Sequence, residues 1–363
     1  MLLDDSIKIT KQKKNMQEKT GKFALNAFFT GLLLALTVFA GRASAEPPRG
    51  KPGTPEPADV TKIKEVTKNL KGKIIWSTSR DANHDIYIMN VDGSDPKPLT
   101  KGPKTDWYSR FSPDGKKVIF TRSKLDWTIE TDANSPERWD TWVINADGSE
   151  EKLLIPNATW ADWTRDGKSI VYSKAKNIFK CNIDGTGETL VADGDKELKG
   201  GLAQHPFFSD DGRFLAVTLR GSQRETGILD LKTRKWFTSG GGCQMSFFPG
   251  RRRCIRVNET GNGGTELFAF DLNEDGTHGK INDGKIDGKS IVFMDIPGRR
   301  SHEYFPRLSP KADYLIWGAT QKGHDHDLAD YELYLWKVGE PYDKAARLTF
   351  HSGNDRWPDI YLE

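Results

Sequence analysis

Two histidines and three aspartates fall within eight residues of the stretch GHDHDLADYELYLW, 323–336, which then turns into alternating apolar side chains. Imidazole and carboxylate donors together suit zinc or manganese, whereas carboxylates and carbonyls alone suit calcium. The spacing of His324 and His326 matches no established zinc signature. The stretch is therefore either part of a divalent-cation site or a polar loop entering a strand. The same donor types recur at His302 beside Glu303, and at Asp355 near the C-terminus. One site built from all of them needs elements that bring distant segments to one centre.

Such elements are visible as repeats. DIYIMNVDGS from Asp85, DTWVINADGS from Asp140 and NIFKCNIDGT from Asn177 each alternate apolar residues and end on an Asp-Gly suited to a tight hairpin turn. Weaker copies begin at Glu266 and Glu332, and a degenerate one is TGILDLKTRK. A second set of paired strands precedes them, in YSRFSPDGKKVIFTRS, WADWTRDGKSIVYSK, HPFFSDDGRFLAVTL, MSFFPGRRRCIRVNE and YFPRLSPKADYLIWGA. The chain opens at GKIIWSTS without a strand of the first kind, and NDRWPDIYLE at the C-terminus supplies it. The pattern predicts an all-β, six-bladed propeller over 71–363, closed by the C-terminal strand completing the first blade.

Residues 1–45 read as an export leader: lysines, an apolar segment, then Ala43-Ser44-Ala45, with cleavage before Glu46 and either Met1 or Met16 as the start. The leader holds seven basic and three acidic residues, and taking these from 54 and 51 leaves 47 and 48, a net charge of −1. A general nucleic-acid role loses its electrostatic basis. Residues 46–70 are proline-rich and read as an extended or disordered spacer. A periplasmic or secreted monomer with no membrane anchor after cleavage is the expectation.

The motif Ser112-Pro113-Asp114-Gly115 before KKVIFTRS, with DIYIMNVDGSDPKPLT, resembles the repeats of the TolB-type periplasmic propeller family. The resemblance covers nearly all of 71–363 and implies a propeller fold and a non-catalytic binding role in the cell envelope. The separate α/β domain of that family has no counterpart ahead of these repeats, where the proline-rich segment stands. No G-x-S-x-G nucleophile elbow occurs, which sets peptidase chemistry aside.

Aligning the repeats sorts residues into columns. Met89, Ile144, Cys181, Phe270 and Trp336 share one and are expected in the core. Asp85, Asp140, Asn177, Glu266 and Glu332 share another, as repeat-internal acceptors. At the entry of each innermost strand stand Asp106, Ala158, Ala203, Cys243, Glu303 and Asp355, with His205 displaced by two positions. Connectivity crowds His84, the long loop before Asp140 and the histidine loop at this entry mouth. Convergent carboxylates there are either neutralised by Arg356 and Arg307 or hold a calcium, manganese or zinc ion with His302, Glu303, His324, His326 and Asp355 as ligands. Asp106, His205, Tyr304, Arg356 and Trp357 are the expected ligand-binding face, for an envelope or extracellular protein or a small or saccharide ligand. The alternative is a metal-dependent lyase of acidic polysaccharides, similar in kind to propeller lyases of oligogalacturonides. Cys243 and Cys254 flank the turn FPGR and are either a disulfide or separate thiols.

Overall fold

The computed structural model describes residues 50–221, 224–259, 264–274, 281–282, 285–286, 289–290, 292–298, 300, 302–321 and 325–363. Residues 1–45, expected from the sequence to be an export leader, and His324 lie outside the described residues.

The fold is an all-β propeller. Strand Gly72–Thr78 pairs on one side with Asp85–Asn90, Trp76 opposite Tyr87, and on the other with the C-terminal strand Asp355–Leu362, Ile74 opposite Ile360. The C-terminus thus completes the first sheet, as the repeat pattern requires. Three further four-stranded antiparallel sheets follow, opening at Lys104–Phe111, Thr159–Trp163 and Leu202–Phe208. Where the sequence predicts two more separate sheets, the strands from Cys243–Phe247 to Ala346–Arg347 form a single eight-stranded one, apart from the two-residue strands Ile281–Asn282, Lys285–Ile286 and Lys289–Ser290, which pair among themselves. Its two antiparallel halves meet at one parallel pairing, Thr265 with His302, beside the bond from Thr265 Oγ1 to the Glu303 carbonyl, 2.8 Å.

Alternating apolar positions explain why the sheets stack. Ile75, Ile88, Phe111, Val118, Phe120 and Ile144 form one buried layer drawn from the first two sheets. The column residues Met89, Ile144, Cys181, Phe270 and Trp336 are all buried. The Asp-Gly turns are scaffold: Asp114 accepts from Ser112 Oγ at 2.6 Å and from the Lys116 amide at 3.1 Å, and the pattern recurs at Asp166 and Asp211.

Two expectations are corrected. The segment ahead of the sheets is not an extended spacer, because Pro57–Val66 is an α-helix. Asp59 Oδ2 accepts from the Glu56 amide at 3.1 Å, and Pro57 stands in the first turn, where a missing N–H costs nothing. Ile63, Val66 and Leu70 pack against the cluster containing Trp76 and Leu335. Residues 51–53 then strap onto 350–352, with the Ser352 amide donating to the Lys51 carbonyl at 3.0 Å. The disulfide does not form either. Register sets Cys243 opposite Val257 and Cys254 opposite Phe247, so the two thiols are not cross-strand neighbours. Among the described residues no helix is long and apolar enough to cross a membrane.

Candidate functional site

The axis of the ring is filled by a repeated backbone irregularity. Tyr108, Trp160, His205, Gln244, Phe305 and Trp357 all have left-handed φ angles, between 52° and 61°. Each sits where pairing with the next strand slips. A bulge of this kind re-aims one side chain, and bulky residues adopt it only where surroundings enforce it. The side chains meet across sheets: ring centroids lie 5.0 Å apart for Tyr108 and Trp160, 4.1 Å for Trp160 and His205, and 4.4 Å for Phe305 and Trp357. Gln244 Oε1 accepts from the Phe305 amide at 2.6 Å. Burial among these rings keeps the pKa of His205 well below its ordinary value.

The column found in the sequence lies two residues earlier, and the bulges align Gly242 with it rather than Cys243. Its carboxylates do not converge. Asp106 is gripped by Arg122 Nε and Nη2, both at 2.7 Å. Asp355 Oδ1 accepts from Trp76 Nε1 at 2.8 Å, with Arg80 at 3.6 Å. Glu303 is 0 % exposed; its Oε1 accepts from the Ile296 amide at 2.8 Å, and burial pushes its pKa up to about 8. His302 is half-buried, opposite Thr320. His326 faces Glu130 instead. Among the described residues no three His, Cys, Asp or Glu side chains are grouped to hold a metal ion, so the proposed ligand set is not assembled around Glu303. Asp106, His205, Tyr304, Arg356 and Trp357, expected as an accessible face, are all buried.

What closes the entry mouth is an interlock of two loops. The short 3-10 segment Glu130–Asn134 leaves the second sheet and meets the loop around His326 and Asp327. The Glu130 carboxylate accepts from His326 Nδ1 at 2.9 Å and from Arg356 Nη1 and Trp357 Nε1, both at 3.0 Å. Arg356 Nη1 also donates to Asp327 Oδ1 at 2.9 Å and to the His326 carbonyl at 2.7 Å. Burial alone would raise the Glu130 pKa, but His326, Arg356 and Trp357 outweigh it and bring the carboxyl to about 2. Glu130 belongs to no repeat column; only the unusual length of its loop hinted at it.

The opposite mouth, where the hairpin turns that carry Pro113, Arg165 and Pro310 stand, is open. A cavity of about 320 Å³ is walled by Phe111, Trp163, Phe207, Phe208 and Tyr361, with Pro113 and Pro310 at its rim. Its floor is an ion-pair network: Arg307 bonds Asp162 at 2.7 and 3.0 Å and Asp359 at 3.0 Å, and Arg110 Nε lies 3.7 Å from Asp162. Arg307 and Arg356 are thus counterions, as one reading of the sequence had it, but to Asp162, Asp359, Glu130 and Asp327 rather than to Glu303 and Asp355.

No family model and no curated protein sequence matches the chain. Solved structures do. TolB from Acinetobacter baumannii superposes with a TM-score of 0.56 at 13% identity, covering 82% of this chain and 68% of that one. A putative TolB from Agrobacterium tumefaciens gives 0.52 at 14% identity, covering 81% and 98%. Hydrazine synthase from Kuenenia stuttgartiensis gives 0.52 at 13% identity, covering 86% and 50%. The chain has a TolB-like propeller fold.

Proposed function

We propose that this chain is an exported, six-bladed, non-catalytic propeller that binds a partner through the cavity at the mouth that carries the turns of Pro113 and Pro310. The count of six treats the eight-stranded sheet as two blades joined by the Thr265–His302 pairing, in keeping with six bulged strands and six left-handed residues about one axis. The observation that carries the reading is the contrast between the mouths. One is shut by Glu130, His326 and Asp327; the other keeps about 320 Å³ of aromatic-walled space.

The chemistry of that space favours an apolar side chain presented by a protein segment. The charged groups of the floor already neutralise one another, so electrostatics there fix orientation rather than select an ion. The aromatic walls supply the hydrophobic gain. An envelope setting accords with the leader-like residues 1–45 and with the TolB-like fold.

A photo-crosslinking residue placed at Phe208, in cells that export the protein, tests this. A discrete protein adduct is expected there, lost when Phe207→Asp is added, and absent when the probe stands at the exposed Leu328 on the other side. Adducts of equal strength at both positions, or at Leu328 alone, would sink the reading.

A further inference from the structure

We infer that the entry mouth is a carboxylate-binding site that the chain keeps filled with its own Glu130, and that a small external carboxylate takes the same donors when that side chain is withdrawn. The inference is independent of the proposed function, which concerns the opposite mouth.

The donor set is built as a receptor rather than as a ladder pair. Two buried acids are met by an arginine of their own hairpin: Asp106 stands opposite Arg122, and Asp230 bonds Arg213, the neighbour of its cross-strand partner Phe214. Glu130 comes instead from an excursion of the second sheet. It is held by a guanidinium, an indole N–H and an imidazole from the C-terminal strand and the sixth repeat's loop. Three donors converging on one carboxylate supply both charge and direction.

A second observation points the same way. Arg356 is 0 % exposed, yet only its Nη1 is used, and it serves three acceptors. Nε and Nη2 have no partner among the described residues. Those two nitrogens share one edge of the guanidinium plane, the edge by which Arg122 grips Asp106 and Arg213 grips Asp230. A buried arginine with that edge unspent offers more donors than Glu130 occupies. The ligand class that matches is a planar, singly charged carboxylate.

Glu130→Ala makes the test direct, because the atoms removed from the side chain have the size and charge of acetate. The full exported chain is titrated with sodium acetate against sodium chloride at equal ionic strength. Thermal melting is followed together with saturation transfer to the acetate methyl group. Acetate is expected to raise the melting temperature of Glu130→Ala saturably and to leave the wild type unchanged. Adding Trp357→Phe, which removes one donor and keeps an aromatic side chain at the position, is expected to weaken acetate binding roughly tenfold. Should Glu130→Ala not fold, Glu130→Gln takes its place: a neutral amide yields the donors to acetate more readily than a carboxylate does, so acetate still stabilises the variant more than the wild type. Stabilisation by acetate no greater than by chloride, or equal in variant and wild type, overturns the inference.

Discussion

Glu303 shows how far burial alone can carry a side chain from its ordinary chemistry. It is enclosed by protein, with one oxygen on the Ile296 amide and the other on no partner among the described residues. The unfolded chain ionises this group near 4.5, while the folded protein holds its proton until about pH 8. Stability is therefore drained as pH climbs from the lower value to the higher one. Glu303→Gln keeps the acceptor for Ile296 and removes the titration. Urea denaturation across this range is expected to show the wild type losing ground to the variant, on the order of 2–4 kcal/mol by pH 8. Parallel curves would instead mean that Glu303 is ionised in the folded protein, as a bound cation would make it. At this scale the sequence located His326, Arg356, Trp357 and Glu303 but not their relations. Column position tells which residues share a level of the ring. It does not tell that Glu130, from an irregular loop, takes the donors expected to serve Asp355.

At the scale of elements, strands were legible because their alternation and Asp-Gly turns are local signals. The bulges were not, because each left-handed residue breaks the period by one without changing composition; Tyr108 and Trp160 look like ordinary strand aromatics. The helix Pro57–Val66 was hidden by prolines that precede it or sit harmlessly in its first turn. Turn chemistry can be tested where two equivalent glycines differ in surroundings. Gly115 and Gly212 have φ angles of +70° and +68°, but a Cβ on Gly115 would lie 2.6 Å from the Tyr361 ring, while one on Gly212 meets nothing within 4 Å. Gly212→Ala is expected to lose about 1–2 kcal/mol from backbone strain alone. Gly115→Ala is expected to lose about 1 kcal/mol or more beyond that, since the ring must shift out of its packing. Equal losses in chemical denaturation would show that Tyr361 moves aside without cost.

For the whole molecule, closure is what turns a row of sheets into a ring. The C-terminal strand Asp355–Leu362 pairs along Gly72–Thr78, and the Glu363 amide donates to the Lys71 carbonyl at 3.0 Å. It also reaches past its own sheet: Asp359 accepts from the Phe111 amide at 2.8 Å and from Arg307 at 3.0 Å, and Arg356 and Trp357 hold Glu130. The repeat count made this closure readable in advance, because the first sheet lacked one strand and the chain ended with a spare. The parallel link between Thr265 and His302 was not readable, since a single bridge leaves no periodic trace. Truncation after Asn354 removes the strand and leaves Gly72–Thr78 as an open edge in an otherwise closed ring, a template for pairing with other chains. The truncated protein is expected to elute as oligomers and to melt well below the full chain. A synthetic peptide of residues 355–363 added during refolding is expected to restore the elution volume of the full chain, with the Trp357 emission shifted to the blue as its indole enters the axis. A truncated chain that elutes and melts with the full one would show that the ring is held by its sheet-to-sheet packing rather than by this strand. The strap of 51–53 onto 350–352 and the helix behind it would then be the closure that matters.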